Sequence, residues 1–300
     1  MTATCLPAVT AHFWHWHCVV AGSEELNQYD FKHQGSYMGY KGLGGSVLSK
    51  DGTLDANEFF NVSKDDVLGN ADQPWPQPAM LGEHVTLVNS FIGRAHSVAT
   101  LLLNHLDIHL KLPEGTLAGL HRATACSGDH LRFTKMPPQP PEFYSANRLH
   151  MGEHTDFGSV TVLFNRLGGL QVLPPGGAEW RYVRPMAGHA IVNLGDALVR
   201  FSNGLLCSNL HRVVGPPGAQ AKLPRYSVVY FMRPENEVLL RRLEGSDVIP
   251  KLAEGETEEV ITAKDWIQRR GHARRVGIFK QGQEDQGTFK GTAVIPVAKL

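Results

Sequence analysis

The spacing of apolar side chains divides the chain into a helical part and a later β-rich part. Between Val85 and Leu110 apolar residues recur every three or four positions, which predicts one long amphipathic helix that ends before Pro113. From Leu131 to Arg233 the pattern changes to short runs of β-branched and aromatic residues separated by Gly, Pro and Asn. About eight short strands are expected there, which favours a jelly roll with the helix packed on its sheet.

These patterns predict one domain that is mainly β with flanking α-helices around a double-stranded β-helix, or jelly-roll, core. The run from His12 to His17 is rich in histidine and aromatic residues but has no carboxylate beside it, so no function is assigned to it. Thr262 to Asp265 predicts the cap of a late helix. The expected segments are an atypical N-terminal arm (1–22), a loop and helical region packed on the barrel (23–130), the jelly-roll core (131–235), and a C-terminal helix and tail (236–300).

Composition narrows the expected ligand to a small molecule. Of the 300 residues, 42% are hydrophobic and 19% are charged, with a formal net charge of zero, which is typical of a globular, soluble chain. No stripe of Lys and Arg predicts a nucleic-acid partner, and no apolar run is long enough to predict a membrane span. The sequence does not indicate an oligomeric state.

Cysteine usage and the N-terminus favour the cytoplasm. Cys5, Cys18, Cys126 and Cys207 lie far apart and lack the CxxC spacing of common metal and redox sites. A chain with so few cysteines is expected in a reducing compartment. The first residues do not show the basic and apolar pattern of a secretory signal.

The sharpest chemical signal is the triplet His154-Thr155-Asp156. Residues two apart in an extended segment point to the same side, so this imidazole and carboxylate can share one metal ion. His211 lies on a later β-rich segment and is the candidate third ligand. Two histidines and one carboxylate leave three octahedral positions open, as in non-haem Fe(II) oxygenases, whereas a structural zinc site is closed by a fourth ligand. His105 and His109, four apart on the long helix, lack an intervening glutamate and are expected to be solvated.

A second signal follows His211 along the chain. Arg225 and Ser227 lead a predicted strand and share one of its faces. A guanidinium can bind a carboxylate through two parallel hydrogen bonds, and the serine adds one donor. The pair therefore suits the far carboxylate of a dicarboxylic acid.

Six blocks of residues along the chain form a further pattern. They are Gly39-Tyr40-Lys41-Gly42-Leu43-Gly44, Glu58-Phe59-Phe60-Asn61-Val62, Gln73-Pro74-Trp75-Pro76, Gly152 to Ser159, Val192-Asn193-Leu194-Gly195-Asp196 and His211-Arg212-Val213. Together they resemble the isopenicillin N synthase-like family of Fe(II)/2-oxoglutarate-dependent oxygenases, from about Glu24 to Gly277. The residues in these blocks are most similar to those of fungal members that modify secondary metabolites, which are usually cytosolic.

The resemblance implies an enzyme that uses Fe(II), 2-oxoglutarate and O2. It implies iron ligation by His154, Asp156 and His211, and binding of the far carboxylate of 2-oxoglutarate by Arg225 and Ser227. Oxidative decarboxylation to succinate and carbon dioxide would then be coupled to oxidation of a small organic substrate. Hydroxylation, desaturation, demethylation and ring rearrangement are all compatible with the family.

The chain departs from the family pattern in two places. Residues 1–22 do not resemble the strand and helix with which members normally begin, so a shortened or divergent start is expected. Thr134 and Met136 stand where plant relatives carry an asparagine and a tyrosine that contact 2-oxoglutarate. Other contacts to the co-substrate are therefore expected to differ.

The sequence also nominates residues around the metal ligands and leaves other functions open. Asn209 and Asp196 are candidates to support the ligands. Candidates for the substrate pocket are Phe157, Phe133, Arg132 and Phe231, which could equally belong to the core. The alternatives are an Fe(II) oxidase that does not use 2-oxoglutarate, a zinc hydrolase with the same three ligands, and a non-catalytic jelly-roll binding protein.

Overall fold

The computed structural model describes residues 23–48, 53–138, 140 and 149–272. The run from His12 to His17 lies outside these ranges, so its interpretation stays a prediction. The described strands are β1 (Gly39–Lys41), β2 (Glu58–Ser63), β3 (His130–Met136), β4 (Leu149–His154), β5 (Val160–Asn165), β6 (Leu170–Leu173), β7 (Arg181–Tyr182), β8 (Ile191–Leu194), β9 (Leu210–Val214) and β10 (Arg225–Met232).

Seven α-helices lie among the described residues. They are α1 (Ser23–Asn27), α2 (Lys64–Leu68), α3 (Ala79–Glu83), α4 (Val85–His109), α5 (Thr116–Gly119), α6 (Asp196–Phe201) and α7 (Ala263–His272). None of them combines the length and the apolar character needed to cross a lipid bilayer.

The strands form two antiparallel sheets that face each other. One sheet has the order β1-β2-β3-β10-β5-β8, and the other has the order β4-β9-β6-β7. Met136 of the larger sheet packs with Leu170 and Val213 of the smaller one. The predicted jelly-roll core with flanking helices is confirmed.

Helix α4 covers the outer face of the six-stranded sheet. It begins at Val85 as predicted and ends at His109, one residue before the predicted end. The exposed side of the helix carries His105 and His109, in agreement with the expectation that they are solvated. Its buried stripe is Val88, Phe91, Ile92, Ala95, Ala99 and Leu103. The ring of Phe91 meets the ring of Phe164 on β5 edge to face, with centroids 5.7 Å apart.

The strands of the larger sheet alternate between this apolar outer face and a polar inner face. Cross-strand partners lie on the same face of a sheet, so the register of β3, β10 and β5 assigns each side chain. The outer side chains, buried in the main core, are Leu131, Phe133, Val160, Val162, Val228, Tyr230 and Met232. The inner side chains between the two sheets include Arg132, Thr134, Met136, Thr161, Arg225, Ser227 and Phe231.

The fold contains two strands that the sequence pattern did not predict and one helix cap that it did. The segment before residue 131, predicted to hold loops and helices, also contributes β1 and β2 to the larger sheet. β1 has only three residues, and β2 is buried along nearly its whole length and leads directly into helix α2, so neither shows a period-two pattern. The predicted cap of helix α7 is present, because Thr262 Oγ1 accepts a hydrogen bond of 3.1 Å from the backbone N–H of Asp265.

Candidate metal centre

Three side chains with metal-binding atoms meet at one end of β4. His154, the last residue of β4, is the direct cross-strand partner of His211 on β9, and their ring centroids are 4.2 Å apart. Asp156 follows in the turn after the strand, and its Oδ1 lies 3.9 Å from Nε2 of His211. One atom from each residue can be chosen so that all lie within 4.8 Å of one another. It is the one such group of histidine, cysteine and acidic residues in the described part of the chain.

The turn after β4 modifies the expected geometry of the triplet. The sequence analysis placed His154 and Asp156 on one extended segment, whereas the strand ends at His154 and its pairing with β9 is irregular. The two side chains nevertheless converge. The turn brings the carboxylate of Asp156 close to both imidazole rings.

Backbone carbonyls orient both imidazole rings in the same way. Nδ1 of His154 lies 2.8 Å from the carbonyl oxygen of Gly152, and Nδ1 of His211 lies 3.0 Å from that of Asn209. A carbonyl only accepts, so each Nδ1 carries the proton and each Nε2 keeps its lone pair. This tautomer is the one that a metal ion on the Nε2 side requires.

The carboxylate of Asp156 is held by two donors on neighbouring strands. Its Oδ2 accepts hydrogen bonds of 2.7 Å from Thr161 Oγ1 and 2.7 Å from Asn193 Nδ2, which leaves Oδ1 on the side of the histidines. Burial alone would raise the pKa of Asp156. The electrostatic attraction of His211 and His154 and the two hydrogen bonds outweigh burial, so the pKa lies below its usual value. The carboxylate is therefore ionised and oriented.

Thr161 and Asn193 were not identified by the sequence analysis. They are cross-strand partners on β5 and β8, and both lie on the inner face of the sheet. Asn193 stands in the apolar strand Ile191–Leu194, and a polar amide in such a strand is the signal that could have found it. Thr161 gives no comparable signal, because threonine is common in strands.

Both expected supporting residues contact the segments that carry the candidate metal-binding side chains. Asp196 binds the ligand segment, since its Oδ2 accepts from Thr155 Oγ1 at 3.0 Å and its backbone N–H donates to the carbonyl of Asp156 at 2.8 Å. Asn209 has an exposed side chain and contributes only its backbone carbonyl to His211. Asn209 therefore supports His211 through its main chain.

Arg225 lies deep between the sheets without an acidic partner among the described residues. The residue is 2% exposed, and its Nε donates to the carbonyl of Gly168 at 2.9 Å. No described carboxylate forms an ion pair with it, and burial alone lowers its pKa to about 10. The guanidinium is therefore still charged at neutral pH. Ser227, on the same face of β10, is 4% exposed.

Residues that differ from plant relatives stand directly beside this arginine. Met136 is the cross-strand partner of Arg225, and its sulfur lies 3.9 Å from Nη1 of the guanidinium. Thr134 is the cross-strand partner of Ser227. The two positions at which the sequence departs from plant relatives therefore lie next to Arg225 and Ser227.

Two of the four expected pocket residues lie on the inner face. The guanidinium carbon of Arg132 is 4.0 Å from the ring centre of Phe59 and 5.0 Å from that of Phe231. Phe133 is fully buried in the outer core, which is the alternative left open for it, because neighbouring residues of a strand face opposite sides. The ring of Phe157 packs under the guanidinium of Arg270, 4.8 Å away, on the side of helix α7.

The sequence comparisons agree with this geometry. Residues 127–234 match the family model described as 2OG-Fe(II) oxygenase superfamily. A 2-oxoglutarate-dependent dioxygenase of Aspergillus fumigatus is 33% identical over 228 residues, which cover 70% of this chain and 59% of the relative. The 2-oxoglutarate-dependent dioxygenase frbH of a Dothideomycetidae species is 31% identical over 251 residues, which cover 83% of this chain and 70% of the relative.

Solved structures carry the same fold. A full-length protein of Neurospora crassa, solved in complex with alpha-KG, superposes with a TM-score of 0.71 at 24% identity. The superposition covers 88% of this chain and 78% of that chain. The dioxygenase frbH is 31% identical and is covered over 70% of its length, and the family model spans residues 127–234, which include the candidate metal cluster and Arg225. The chain therefore belongs to the 2OG-Fe(II) oxygenase superfamily.

Proposed function

We propose that the chain is an Fe(II)- and 2-oxoglutarate-dependent dioxygenase that oxidises a small organic metabolite. His154, Asp156 and His211 are its iron ligands, and Arg225 and Ser227 bind the far carboxylate of 2-oxoglutarate. The observation that carries the proposal is the combination of an open three-ligand cluster with a buried arginine that has no carboxylate partner among the described residues.

The donor set fits Fe(II). Two imidazole nitrogens and one carboxylate oxygen occupy one side of a metal ion and leave positions for exchangeable ligands. Both imidazoles are fixed as Nε2 ligands, and the carboxylate is ionised and held by Thr161 and Asn193. A closed tetrahedral zinc site would need a fourth protein ligand, and none lies in the cluster among the described residues.

The surroundings of Arg225 fit a dicarboxylic acid. A charged guanidinium that is desolvated and unpaired is costly, and an anionic ligand that offers two oxygens would offset that cost. Ser227, 4% exposed on the same face, adds a hydroxyl donor. Thr134 and Met136 lie beside them in place of larger polar residues, so the co-substrate is held mainly by the arginine and serine.

The protein's part in the reaction is to position its ligands and to exclude water. When bound, iron and 2-oxoglutarate supply the chemistry of an O2-dependent oxidative decarboxylation coupled to oxidation of the substrate. The backbone carbonyls of Gly152 and Asn209 keep both histidines in one tautomer throughout. Asp156, 7% exposed, stays out of bulk water, which favours a fixed coordination geometry.

The organic substrate is proposed to lie against Arg132 and Phe231 on the inner face. Phe231 is the cross-strand partner of Thr161, which bonds to Asp156, so this surface is next to the metal centre. The zero formal net charge favours a small molecule over a nucleic acid as partner. The fungal relatives favour a role in secondary metabolism.

A cytoplasmic location is also proposed. Its support is the pair of free thiols at Cys126 and Cys207, which is typical of a reducing compartment. Fractionation of cells that produce the protein, with the chain followed by antibody, tests this location; recovery in a secreted fraction would contradict it.

The test of the function is anaerobic reconstitution with Fe(II) followed by 2-oxoglutarate. The weak visible charge-transfer band of the chelate is recorded for the wild type, His211→Ala and Arg225→Ala. A band in the wild type that is absent in His211→Ala and weakened in Arg225→Ala supports both assignments. A folded, iron-loaded wild type without the band would remove 2-oxoglutarate from the mechanism, and failure to bind iron would overturn the metal centre.

A further inference from the structure

We infer that helix α7, which contributes no metal ligand, is a positioning element of the metal centre and acts through Trp266 and Arg270 on the turn that carries Asp156. The inference rests on the proposed function, because it assigns to the helix an effect on the affinity of the three-ligand cluster for its metal.

The backbone of the turn is fixed at every carbonyl. The four consecutive carbonyl oxygens of residues 156–159 all accept hydrogen bonds. Three of them accept from the backbone N–H groups of residues 195–197, at the start of helix α6, at distances of 2.8 to 3.0 Å. The remaining one, that of Phe157, accepts from the indole Nε1 of Trp266 at 3.1 Å. Helix α7 therefore supplies the donor for the one carbonyl of the turn that α6 does not bind.

A second contact reaches the residue between the two ligands. Arg270 Nη2 donates to Asp196 Oδ2 at 3.0 Å, and the same oxygen accepts from Thr155 Oγ1 at 3.0 Å. Thr155 lies between His154 and Asp156 in the chain. The three side chains thus form one hydrogen-bonded series from helix α7 to the ligand segment.

This series is buried, so it is not weakened by solvent. The side chain of Asp196 is 1% exposed and that of Arg270 is 10% exposed. The guanidinium of Arg270 also stacks on the rings of Phe157 and Trp266, at 4.8 Å and 5.2 Å. Removal of one partner of a buried ion pair leaves an uncompensated charge, so Asp196 would no longer be held in its present position beside Thr155.

The neighbouring arginine provides a matched control. Arg269 lies on the same helix and its guanidinium is also 5.2 Å from the ring of Trp266. It pairs with Glu259 at the surface, at 2.8 Å and 3.1 Å, and its side chain is 45% exposed. Arg269 and Arg270 therefore share charge, helix and aromatic contact, but only Arg270 reaches Asp196.

The experiment measures the dissociation constant of the full chain for Mn(II), from the electron paramagnetic resonance signal of free Mn(II). Arg270→Gln and Thr155→Val are each expected to raise this constant about tenfold, as substitutions behind metal ligands typically do. Arg269→Gln is expected to change it less than about twofold. Because both effects pass through Asp196, the double variant is expected to show less than the product of the single effects.

The outcomes separate this inference from the proposed function. A wild type that binds no Mn(II) overturns the metal centre itself, and with it the inference. A wild type that binds Mn(II), with unchanged affinity in Arg270→Gln and Thr155→Val well below their melting temperatures, overturns the inference alone. If Arg270→Gln does not fold, Trp266→Phe decides in its place, since it removes the indole N–H that donates to the carbonyl of Phe157 and keeps an aromatic ring. Unchanged affinity for Mn(II) in that variant overturns the inference.

Discussion

The two faces of the six-stranded sheet differ in chemistry although they are made by alternate residues of the same strands. The outer face is apolar and buried where helix α4 covers it. The inner face carries Arg225, Ser227, Thr161 and Arg132 on the same strands. On β5, Thr161 bonds to the carboxylate of the metal centre while Val162 packs in the core.

The contrast shows that stability and chemistry are assigned to separate sets of residues. Burial of apolar side chains stabilises the fold, so the outer face is where a smaller side chain weakens it. The inner face contains desolvated polar groups, including a cation with no acidic partner among the described residues, which do not favour folding. Substitutions on the two faces are therefore expected to change different measured quantities.

The largest effect on turnover is expected when a proposed iron ligand is replaced. His211→Ala removes one of three metal-binding groups, so it is expected to abolish detectable substrate-free turnover of 2-oxoglutarate. His189→Ala is the matched control, because Nδ1 of His189 makes the same local contact, 3.0 Å from the carbonyl of Ala187, but the residue is exposed and lies outside the cluster. Succinate formation measures both, and equal turnover of His211→Ala and wild type would rule out the ligand assignment.

The next effect is expected at the buried cation. Arg225→Met is expected to weaken 2-oxoglutarate binding by about 100-fold, because a charge-assisted pair with the far carboxylate is lost. The unfolding free energy without ligand is expected to stay the same or rise, since a desolvated charge is replaced by an apolar chain. Calorimetry and thermal unfolding check the two parts, with Tyr226→Phe on the opposite face as control. Unchanged affinity would place the co-substrate elsewhere.

A smaller effect is expected behind the carboxylate ligand. Asn193→Ala removes one of two donors to Asp156 Oδ2 and is expected to raise the dissociation constant for Mn(II) about tenfold. Val192→Ala, one residue away on the more exposed side of β8, is expected to leave it unchanged. Equal affinities in both variants would show that Thr161 alone suffices to orient the carboxylate.

The smallest effect on activity is expected in the outer core. Val162→Ala is expected to lower the free energy of unfolding by about 2 kcal/mol through a lost apolar contact and a small cavity, with normal turnover per folded molecule. Its neighbour Thr161→Val should show the reverse, with weaker metal binding and little loss of stability. Urea unfolding and Mn(II) binding on both variants test the contrast, and a common pattern in the two would contradict it.

The sequence predicts the elements with strong periodicity and the residues with unusual chemistry. Helix α4 and strand β10 are recognised because a long run keeps one period, and Thr262 is recognised as a cap because its side chain acts within three residues. The triplet at His154 is recognisable because its ligands are two residues apart. The pairing of His154 with His211 is a long-range contact, so the residue pattern could only nominate His211 as a candidate, and the resemblance to a family supported that choice.

What the sequence does not predict depends on tertiary contacts. The support of Asp156 by Asn193 depends on the register of β5 and β8, which no local pattern specifies. The role of Arg270 depends on helix α7 packing beside Asp196. Phe133 is a different case, because its position next to Arg132 in one strand already implied that only one of them faces the interior.

Main-chain carbonyls orient His154 and His211, the two proposed iron-binding histidines, and this affects which positions of the sequence are free to vary. Because the carbonyls of residues 152 and 209 hold the imidazoles, the tautomers do not depend on which side chains stand at those positions. The exposed position 209 can therefore accept many amino acids while the coordination chemistry is retained. A saturation library at this position is expected to keep metal affinity across most substitutions, because each substitution leaves the main-chain carbonyl in place.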